Sequence, residues 1–456
     1  MKESVVILGC GESGVGAAIL AVKHHYNVFI SELGIIPSKT KQKLDELGVI
    51  FEEKQHTFNL IKRADTVIKS PGISEDSPLI KDLKIQGVRI ISEIEFAFRH
   101  IPEEAKIIGI TGTNGKTTTS LLTYHLLKEA GFNVALAGNV GYSLARKVAE
   151  REYDFYVVEI SSFQLDGIIE FKPYISVLLN ITPDHLDRYD YNFKRYVASK
   201  FRMIENATST SSFIYCEDSS VVVEEVNNRN IDANLFTVSV NAHSKKGAFI
   251  DRDHLVFNFE PRVNRKTIPL TDIPLIGLHN KMNVMFAVLC AMRLEIPFNK
   301  ILENIKSFKN APHRLEMVAL IDQVKFINDS KATNVDAVYY ALEGIKGSII
   351  WIAGGIDKGN DYSVLDEWVV QKVRGIISLG TDNIKIKNHF KGKVSFMGHA
   401  ASMDEALKKA MEFAYPDDVV LLSPACSSFD IFHNYQDRGN QFKAAVRALN
   451  LKSAST

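Results

Sequence analysis

Short apolar runs alternate with amphipathic stretches along most of this chain. The runs at 5–8 and 27–30 predict β-strands, and the stretch at 15–23 between them has the pattern of a helix. Further strand-like runs follow, separated by polar stretches. A strand, a helix and a strand in succession indicate parallel pairing, with helices on the faces of the sheet. We therefore predict a first α/β domain over residues 1–94.

The same alternation begins again twice. An apolar run at 106–110, followed by a helical pattern, opens a central domain that we predict over residues 95–310. Within it, the stretch 205–275 has few helical signals and many short strand-like pieces, so we expect a small antiparallel region there. A third alternation predicts a C-terminal domain over 311–456. The predicted fold class is α/β, with three consecutive Rossmann-like or P-loop domains built on mostly parallel sheets.

The composition suits a folded protein of several domains. The chain has 456 residues, of which 46% are hydrophobic and 24% charged, which is enough apolar material for about three cores. Lys plus Arg equals Asp plus Glu at 54 each, so a basic field over the whole protein, as in many nucleic-acid-binding proteins, is excluded. No apolar run approaches the roughly 18 residues of a membrane span, and the first residues lack the cleavage region of a signal peptide. We expect a cytoplasmic monomer without membrane insertion or nucleic-acid partners.

A glycine-rich segment at 111–117, with the sequence TGTNGKT, lies between an apolar strand and a helical pattern. Glycines let backbone N–H groups point at an anion, and the start of the helix adds a partial positive charge. Lys116 can reach the β- and γ-phosphates of a nucleotide, and the hydroxyl of Thr117 can bind Mg²⁺. The usual P-loop spacing would have glycine at Ile110, so this loop is a variant. The base-reading motif of GTPases is missing, which favours ATP.

Three polar side chains further on suit a divalent cation. Glu159 ends the strand predicted at 155–158 and is the best candidate for a first Mg²⁺ ligand. His185 follows the next strand and is a candidate for a second metal ion. Lys200 falls at the edge of the apolar stripe of a helix predicted over 193–205. A lysine there usually extends its amine to solvent, whereas a desolvated one near metal ions would be neutral enough to take up CO₂ as a carbamate.

A second glycine-rich segment follows the first predicted strand. Its sequence at 9–14, GCGESG, matches the dinucleotide-binding fingerprint, and Glu32 lies about twenty residues further on, where an acid would bind a ribose. Taken alone, this segment indicates an NAD-dependent oxidoreductase. The same arrangement of backbone N–H groups binds any pyrophosphate, so the segment does not by itself identify the ligand.

Five motifs occur in an order that resembles the Mur ligase family over nearly the whole chain. They are TGTNGKT at 111–117, EISSFQL at 159–165, DHLDRY at 184–189, DSKATN at 329–334 and SPACSSFD at 423–430. The resemblance implies a first domain that binds a UDP-sugar, a central domain that binds ATP, and a C-terminal domain that closes over the ATP and the amino acid. It also implies a reaction of peptidoglycan precursor synthesis. ATP would phosphorylate the carboxylate of UDP-N-acetylmuramoyl-L-alanine, and the amine of D-glutamate would attack the acyl phosphate.

The resemblance also implies roles for individual residues. Lys116, Lys200 and His185 would be catalytic, with ATP, two Mg²⁺ or Mn²⁺ ions and a CO₂-derived carbamate on Lys200 as cofactors. The metal ligands would be Thr117, Glu159, His185 and carbamylated Lys200. The ATP-binding residues would be Gly112, Thr113, Asn114, Gly115, Lys116, Thr117, Thr118, Asn280, Asn283, His313, Arg314, Asp329 and Lys331. Those for D-glutamate would be Thr333, Lys358, Ser428 and Tyr435.

With this resemblance, the segment at 9–14 is interpreted as binding the pyrophosphate of UDP. The candidates for the UDP-sugar are Glu12, Ser13, Gly14, Ser31, Glu32, Ser70, Pro71, Gly72 and Asn139. Three alternatives remain: an NAD-dependent oxidoreductase, a non-catalytic nucleotide-binding regulator, and a ligase with a different acceptor. The last class includes other Mur ligases and folylpolyglutamate synthase. Binding of NADH would support the first, and absence of ATP turnover with every substrate present would support the second.

Overall fold

A computed structural model describes residues 2–241, 246–259, 265–357, 359–381 and 383–453. Of residues 450–453 it describes the backbone only. The chain forms two compact units. The first consists of Met1–Ile273 and Met282–Phe308, and the second of Pro274–Lys281 and Lys309–Thr456. Each helix among the described residues is too short or too polar to cross a membrane.

The first unit begins with a five-stranded sheet. Its strands are β1 (Ser4–Leu8), β2 (Asn27–Glu32), β3 (Ile50–Glu53), β4 (Thr66–Lys69) and β5 (Ile90–Ser92). Its helices are α1 (Glu12–Lys23), α2 (Ser38–Glu46), α3 (Phe58–Ile61), α4 (Pro78–Ile85) and α5 (Glu93–Phe98). All strands are parallel, in the order β3-β2-β1-β4-β5. The loops after β1, β2 and β4 therefore meet at one edge, where the strand order reverses and α/β sheets bind ligands.

The same unit contains a nine-stranded sheet. Its strands are β6 (Lys106–Thr111), β7 (Val134–Gly138), β8 (Phe155–Glu159), β9 (Ile175–Leu178), β10 (Ser212–Cys216), β11 (Asn234–Ser239), β12 (Gly247–Asp251), β13 (His254–Asn258) and β14 (Lys266–Pro269). The helices of this part of the chain are α6 (Lys116–Glu129), α7 (Leu144–Glu150), α8 (Ser162–Leu165), α9 (Phe193–Phe201), α10 (Ser220–Asn227), α11 (Leu278–Arg293) and α12 (Phe298–Ser307). Short 3₁₀ turns lie at Leu186–Tyr189, Arg202–Ile204 and Leu270–Asp272. The strand order is β14-β13-β12-β11-β10-β9-β6-β8-β7.

The second unit is built on a six-stranded sheet. Its strands are β15 (Glu316–Ile321), β16 (Val324–Asn328), β17 (Ile349–Ala353), β18 (Val373–Leu379), β19 (Phe396–Ala400) and β20 (Val419–Leu422). Its helices are α13 (Val335–Gly344), α14 (Asp366–Lys372), α15 (Ile384–Phe390), α16 (Met403–Phe413) and α17 (Tyr435–Ser453), with a 3₁₀ turn at Ser363–Leu365. The order is β15-β16-β20-β17-β18-β19, and only β15 pairs antiparallel.

The three mostly parallel sheets and the antiparallel strands of the central part confirm the predicted fold class. The antiparallel region is shorter than the stretch 205–275 in which it was expected. β10 and β11 extend the parallel sheet, and α10 lies between them. Among the described residues of this region, only β12, β13 and β14 form antiparallel pairs. The helix was missed because α10 contains three consecutive valines, and β-branched residues favour strands in an isolated sequence.

A continuous hydrophobic core joins the first sheet to the second. It contains Ile7 of β1 and Leu20 of α1 together with Leu144 of α7 and Tyr156 of β8, all fully buried. Burial of large apolar side chains from both sheets is the main source of stability at this junction. The loops at the carboxyl edge of the first sheet are therefore supported by elements of the second.

Two buried carboxylates of α5 strengthen the same junction. Glu93 accepts a hydrogen bond from the backbone N–H of Ala145 in α7. Glu95 accepts backbone N–H groups of Ile169 and Phe171, both at 2.9 Å. The bond of Glu93 fixes α7, and with it the loop that precedes α7, to α5. The bonds of Glu95 fix residues 169–171, which precede β9, to the same helix.

The pKa of Glu93 predicts a pH dependence of stability. Burial raises this pKa to about 7, and the charge of Glu12 also raises it. Because the folded-state pKa lies above the unfolded value, the stabilising contribution is complete below about pH 4.5 and is lost as the pH rises through 7. The free energy of unfolding of Glu93→Gln relative to the wild type should therefore increase between pH 5 and pH 8, by up to about 3 kcal/mol. Parallel pH profiles of the two proteins in thermal unfolding would contradict this assignment.

Candidate active site

The segment 111–117 forms a tight loop between β6 and α6. Gly115 has a φ of 88° and Gly112 a φ of 150°, both in the region that favours glycine. A Cβ atom on Gly115 would lie 2.5 Å from Oδ1 of Asn283 and one on Gly112 would lie 2.9 Å from the Cβ of Leu179. The backbone can adopt this anion-binding shape only with glycine at both positions.

Side chains on both sides hold this loop in place. Nζ of Lys116 donates to the carbonyl oxygens of Gly112 and Thr113, at 2.7 and 2.8 Å. Asn180, which follows β9, accepts the backbone N–H of Asn114 at 2.8 Å and donates to its carbonyl at 3.1 Å. Sequence reasoning did not single out Asn180, although a polar residue just past a buried strand is a usable signal for a ligand-facing position.

Lys200 is buried directly beneath the loop. Its side chain is 1% exposed, and Nζ donates to the carbonyl of Gly112 at 2.9 Å. Nζ also lies 4.7 Å from the ring centre of Tyr196, whose hydroxyl is 3.1 Å from Oγ1 of Thr113. Burial, and next the charge of Lys116, hold the pKa of the Lys200 amine well below its usual value. The structure thus places Lys116 and Lys200 on the same carbonyl group.

Glu159 has the environment expected of a metal ligand. It is 1% exposed at the end of β8, and its Oε1 accepts a hydrogen bond from Asn139 Nδ2 at 2.8 Å. Its Oε2 is buried and has no hydrogen-bond partner among the described residues. A buried carboxylate oxygen needs a donor or a cation, and Mg²⁺ prefers such oxygen ligands, so this residue fits a metal ion.

His185 is more exposed than the other candidates for metal binding. It has a left-handed φ of 52°, and its ring centre lies 5.2 Å from that of Phe163. Among the described residues, no three His, Cys, Asp or Glu side chains are grouped closely enough to hold a metal. The set predicted from the sequence contains only Glu159 and His185 of these residue types, together with a hydroxyl and a carbamate.

Replacing Glu159 with glutamine should raise the Mg²⁺ concentration needed for half-maximal activity by about tenfold or more, because an amide oxygen carries no charge. Phosphate release measured over a series of Mg²⁺ concentrations tests this expectation. Glu152→Gln is the control, because Glu152 is an exposed carboxylate just before the same strand. Equal Mg²⁺ dependence in the two variants would contradict a role of Glu159 in metal binding.

At the carboxyl edge of the first sheet, several predicted UDP-sugar ligands lie close together. A Cβ atom on Gly9 would lie 2.6 Å from Oγ of Ser70, so the loops after β1 and β4 touch. Glu32 accepts the backbone N–H of Cys10 at 2.7 Å through Oε2. Ser31 is fully buried, and its hydroxyl donates to Glu52 at 2.7 Å. The side chain of Glu32 therefore holds the glycine-rich loop, and the backbone carbonyl of Ser31 holds it as well by accepting the N–H of Gly9 at 2.9 Å.

Glu12 and the loop at Ser70–Gly72 have hydrogen-bond partners in and beside α7 and in the 3₁₀ turn at Leu186–Tyr189. Glu12 pairs with Arg146 at 2.8 Å and accepts the backbone N–H of Ser143 at 3.1 Å. Arg188 of the DHLDRY motif donates to the carbonyl oxygens of Pro71 and Gly72, both at 3.2 Å. Sequence reasoning did not identify Arg188, which links the loop of His185 to the predicted UDP-sugar loop. Ser13 and Gly14 begin α1, and Asn139 is exposed in the loop that precedes α7.

In the second unit, the predicted nucleotide residues follow β16. Asp329 is buried and accepts the hydroxyl of Ser423 at 2.9 Å, and burial raises its pKa to about 7. Lys331 donates its backbone N–H to the carbonyl of His313, and its Nζ lies 5.3 Å from the ring centre of Tyr435. The structure therefore brings together three ATP candidates and one D-glutamate candidate.

The remaining candidates are distributed over both units. Asn280 belongs to the second unit, where its Nδ2 donates to the carbonyl of Ile276 at 2.6 Å. Asn283 belongs to the first, where it accepts the hydroxyl of Thr119 at 3.2 Å. Ser428 is buried, Arg314 is half-buried, Thr333 is exposed, and Thr117 and Thr118 are buried in the first turn of α6. Lys358, predicted to bind D-glutamate, lies outside the described residues.

Three family models match successive parts of the chain. The MurD N-terminal domain matches residues 4–79, the Mur ligase middle domain matches 110–291, and the model named Mur ligase, glutamate ligase domain matches 313–426. This chain belongs to the Mur ligase family, whose members are ATP- and Mg²⁺-dependent, ADP-forming amide ligases. The family assignment confirms the resemblance seen in the five motifs. It argues against the interpretation of the segment at 9–14 as part of an NAD-dependent oxidoreductase.

Two curated relatives match nearly end to end. A UDP-N-acetylmuramoylalanine–D-glutamate ligase of Christiangramia forsetii is 47% identical over 98% of this chain and 100% of its own length. A protein of the same name from Cytophaga hutchinsonii is 46% identical over 98% of this chain and 99% of its own length. Among solved structures, the MurF ligase of Thermotoga maritima in complex with ADP has a TM-score of 0.59 at 15% identity, over 92% of this chain and 95% of that one. That likeness supports the fold alone.

Proposed function

We propose that this protein joins D-glutamate to UDP-N-acetylmuramoyl-L-alanine and converts ATP to ADP and phosphate, as a step in peptidoglycan precursor synthesis. The observation that carries the proposal is the pair of lysines, Lys116 and Lys200, that meet at the carbonyl of Gly112 in a glycine-dependent anion loop. The full-length similarity to relatives that bear the name of this ligase supports the choice of substrates.

The chemistry explains why ATP is required. A carboxylate resists attack by an amine because its leaving group would be oxide. In the proposed reaction a carboxylate oxygen of the alanyl group attacks the γ-phosphorus, and ADP leaves with the electrons of the broken P–O bond. The amine of D-glutamate then attacks the acyl carbon and loses a proton. The tetrahedral intermediate collapses, and phosphate leaves with the electrons of the C–O bond.

The loop after β6 is proposed to bind the triphosphate. Its backbone N–H groups and the start of α6 would face the phosphates, and the Lys116 amine would exchange its two carbonyl partners for phosphate oxygens. Metal ions at this site would neutralise the charge that develops on the transferred phosphoryl group. We propose Thr117 and Glu159 as ligands of one ion and His185 as a ligand of the other.

Lys200 is proposed to carry a carbamate. The amine is buried, and the charge of Lys116 acts on it, so its neutral form is favoured. Only a neutral amine can attack the carbon of CO₂. The new N–C bond forms as the nitrogen loses a proton, which leaves an anion at the side-chain end. An anion beneath the loop would supply oxygen ligands for a metal ion and would relieve the repulsion between Lys200 and Lys116.

Each substrate is proposed to bind at the sheet whose edge carries its candidate ligands. We propose that residues 1–94 bind the UDP-sugar, 95–310 bind ATP, and 311–456 bind the amino acid, through Thr333, Lys358, Ser428 and Tyr435. D-Glutamate has two carboxylates, which suits a lysine and several hydroxyl donors. We also propose that the protein acts as a monomer in the cytoplasm.

An assay of phosphate release tests the proposal. Purified protein is supplied with Mg²⁺, ATP and UDP-N-acetylmuramoyl-L-alanine, and one amino acid is added at a time. We expect release with D-glutamate at a rate at least about 100-fold above that with L-glutamate, L-alanine or diaminopimelate. L-Alanine lacks the second carboxylate, and the longer diaminopimelate holds its two carboxylates at a different spacing. L-Glutamate can pair both carboxylates, but its inverted α-carbon then directs the amine away from the acyl carbon. Equal rates with another amino acid would assign a different acceptor, and no release with any of them would remove the ligase function.

A further inference from the structure

Arg438 is the most completely hydrogen-bonded buried cation in the described part of the second unit. It lies in the first turn of α17 and is 1% exposed. Its five N–H groups make five contacts: Nε donates to Oγ of Ser330 at 3.0 Å, Nη2 donates to the carbonyls of Ser330 and Cys426 at 2.9 and 3.2 Å, and Nη1 donates to those of Cys426 and Gly354 at 3.2 and 3.5 Å. The five bonds go to four acceptor atoms, all of them uncharged, since the carbonyl of Cys426 accepts two.

The three residues that accept these bonds follow three adjacent strands. Ser330 comes after β16, Cys426 after β20 and Gly354 after β17, and the sheet order places β20 between the other two. All three strands are parallel to one another. One guanidinium group therefore ties together the carboxyl-end loops of the three central strands of this sheet.

These loops carry most of the predicted ligands of the second unit. Ser330 lies between Asp329 and Lys331, and Cys426 lies two residues before Ser428. The loops also need external support. Ala425 has a left-handed φ of 62°, which is unfavourable for a residue with a Cβ, and Gly354 has a φ of 123°.

The next residue, Gly439, constrains the same site. A Cβ at this position would lie 2.2 Å from Nδ1 of His313, and the carbonyl of Gly439 accepts Nδ2 of Asn328 at 3.3 Å. Arg438 and Gly439 thus have two different roles in the same site. The arginine holds the loops, and the glycine leaves room for the histidine that lies against the nucleotide candidates.

Stability alone gives little reason to place an arginine here. A buried cation without a carboxylate partner loses its hydration, and apolar packing often stabilises a core as well or better. Burial lowers the pKa of Arg438 to about 10, which leaves the group charged at neutral pH. Only a planar guanidinium offers five donors in a fixed arrangement, so lysine cannot replace it.

We infer that Arg438 is a positioning residue for the amino-acid site: it fixes the relative positions of the loops after β16, β17 and β20, and its charge favours an anionic substrate at their edge. This inference rests on the proposed function, because it takes these loops to be the ones that bind D-glutamate. It requires no direct contact between Arg438 and the substrate.

The test compares Arg438→Lys with Arg374→Lys in the full-length protein. Arg374 is a matched control, since it is a half-buried arginine at the other end of the same sheet, where it pairs with Asp418 and donates to Ser348. We expect Arg438→Lys to raise the KM for D-glutamate by about tenfold or more, with the KM for UDP-N-acetylmuramoyl-L-alanine within about twofold of the wild type. Arg374→Lys should leave both values within about twofold, even where it lowers the melting temperature.

The outcomes separate a positioning role from a structural one. A D-glutamate KM within twofold of the wild type in Arg438→Lys would overturn the inference, whatever the change in melting temperature. If that variant does not fold, Ser330→Ala decides instead, because it removes one of the five hydrogen bonds, that from Nε to Oγ. A rise of about threefold or more in the D-glutamate KM supports the inference, and an unchanged KM overturns it. Failure of the proposed function would show in the wild type, as phosphate release that does not respond to D-glutamate.

Discussion

Replacing Lys116 with alanine is expected to lower kcat by at least about 1,000-fold. The lysine is the only residue of the glycine-rich segment with a positive side chain. Its Nζ donates hydrogen bonds to two carbonyl oxygens of the loop, those of Gly112 and Thr113. Charge accumulates on the γ-phosphoryl group as it is transferred, so a cation held at this position stabilises the transition state more than the bound ATP. Steady-state rates of ADP formation measure the effect.

The control for this variant is Lys128→Ala. Lys128 is an exposed lysine near the end of the same helix, α6, and its Nζ lies 5.7 Å from the ring centre of Tyr124. Its removal changes the net charge by the same amount and should leave kcat within about twofold. If Lys116→Ala retained more than a tenth of wild-type activity, the triphosphate would have to bind elsewhere.

The second large effect is expected at Lys200. Lys200→Ala should lose at least about 100-fold in kcat, and acetate or another short carboxylate should restore part of the activity by supplying the missing anion. Lys194→Ala, an exposed position on the same helix, should be unaffected and should not respond to acetate. Full activity of Lys200→Ala in CO₂-free buffer would exclude the carbamate.

The lowered pKa of Lys200 also predicts how carbamate formation depends on pH. Carbamate formation requires the neutral amine, and this form is populated at lower pH when the pKa is depressed. In the wild type, activity in CO₂-depleted buffer should therefore recover on addition of bicarbonate at neutral pH. A lysine with an ordinary pKa would require strongly alkaline conditions for the same recovery.

The features that could be predicted from the sequence are those with a local signal. The glycine spacing at 111–117 identified the loop and Lys116, and the end of an apolar run identified Glu159. In parallel sheets such positions recur at the carboxyl ends of strands, so a linear pattern is sufficient to locate them. The three alternations of strand and helix likewise gave the fold class.

Other features depend on residues that are distant in the sequence. Lys200 resembled an ordinary lysine at the edge of an apolar stripe, because its burial results from its contact with Gly112, 88 residues away. The position of Glu12 depends on Arg146, 134 residues away. Arg438 lies in a C-terminal helix without any motif, and its role becomes visible only when three loops from separate parts of the chain meet around it.

The fate of the oxygen atoms of the substrate distinguishes formation of an acyl phosphate from simple hydrolysis of ATP. UDP-N-acetylmuramoyl-L-alanine labelled with ¹⁸O in its alanyl carboxylate is incubated with the protein, Mg²⁺, ATP and D-glutamate, and the released phosphate is analysed by mass spectrometry. If an acyl phosphate forms, one labelled oxygen passes from the carboxylate to the phosphate for each amide bond made. Phosphate that carries no label from the substrate, and takes its new oxygen from water, would show that ATP is only hydrolysed and would contradict the account.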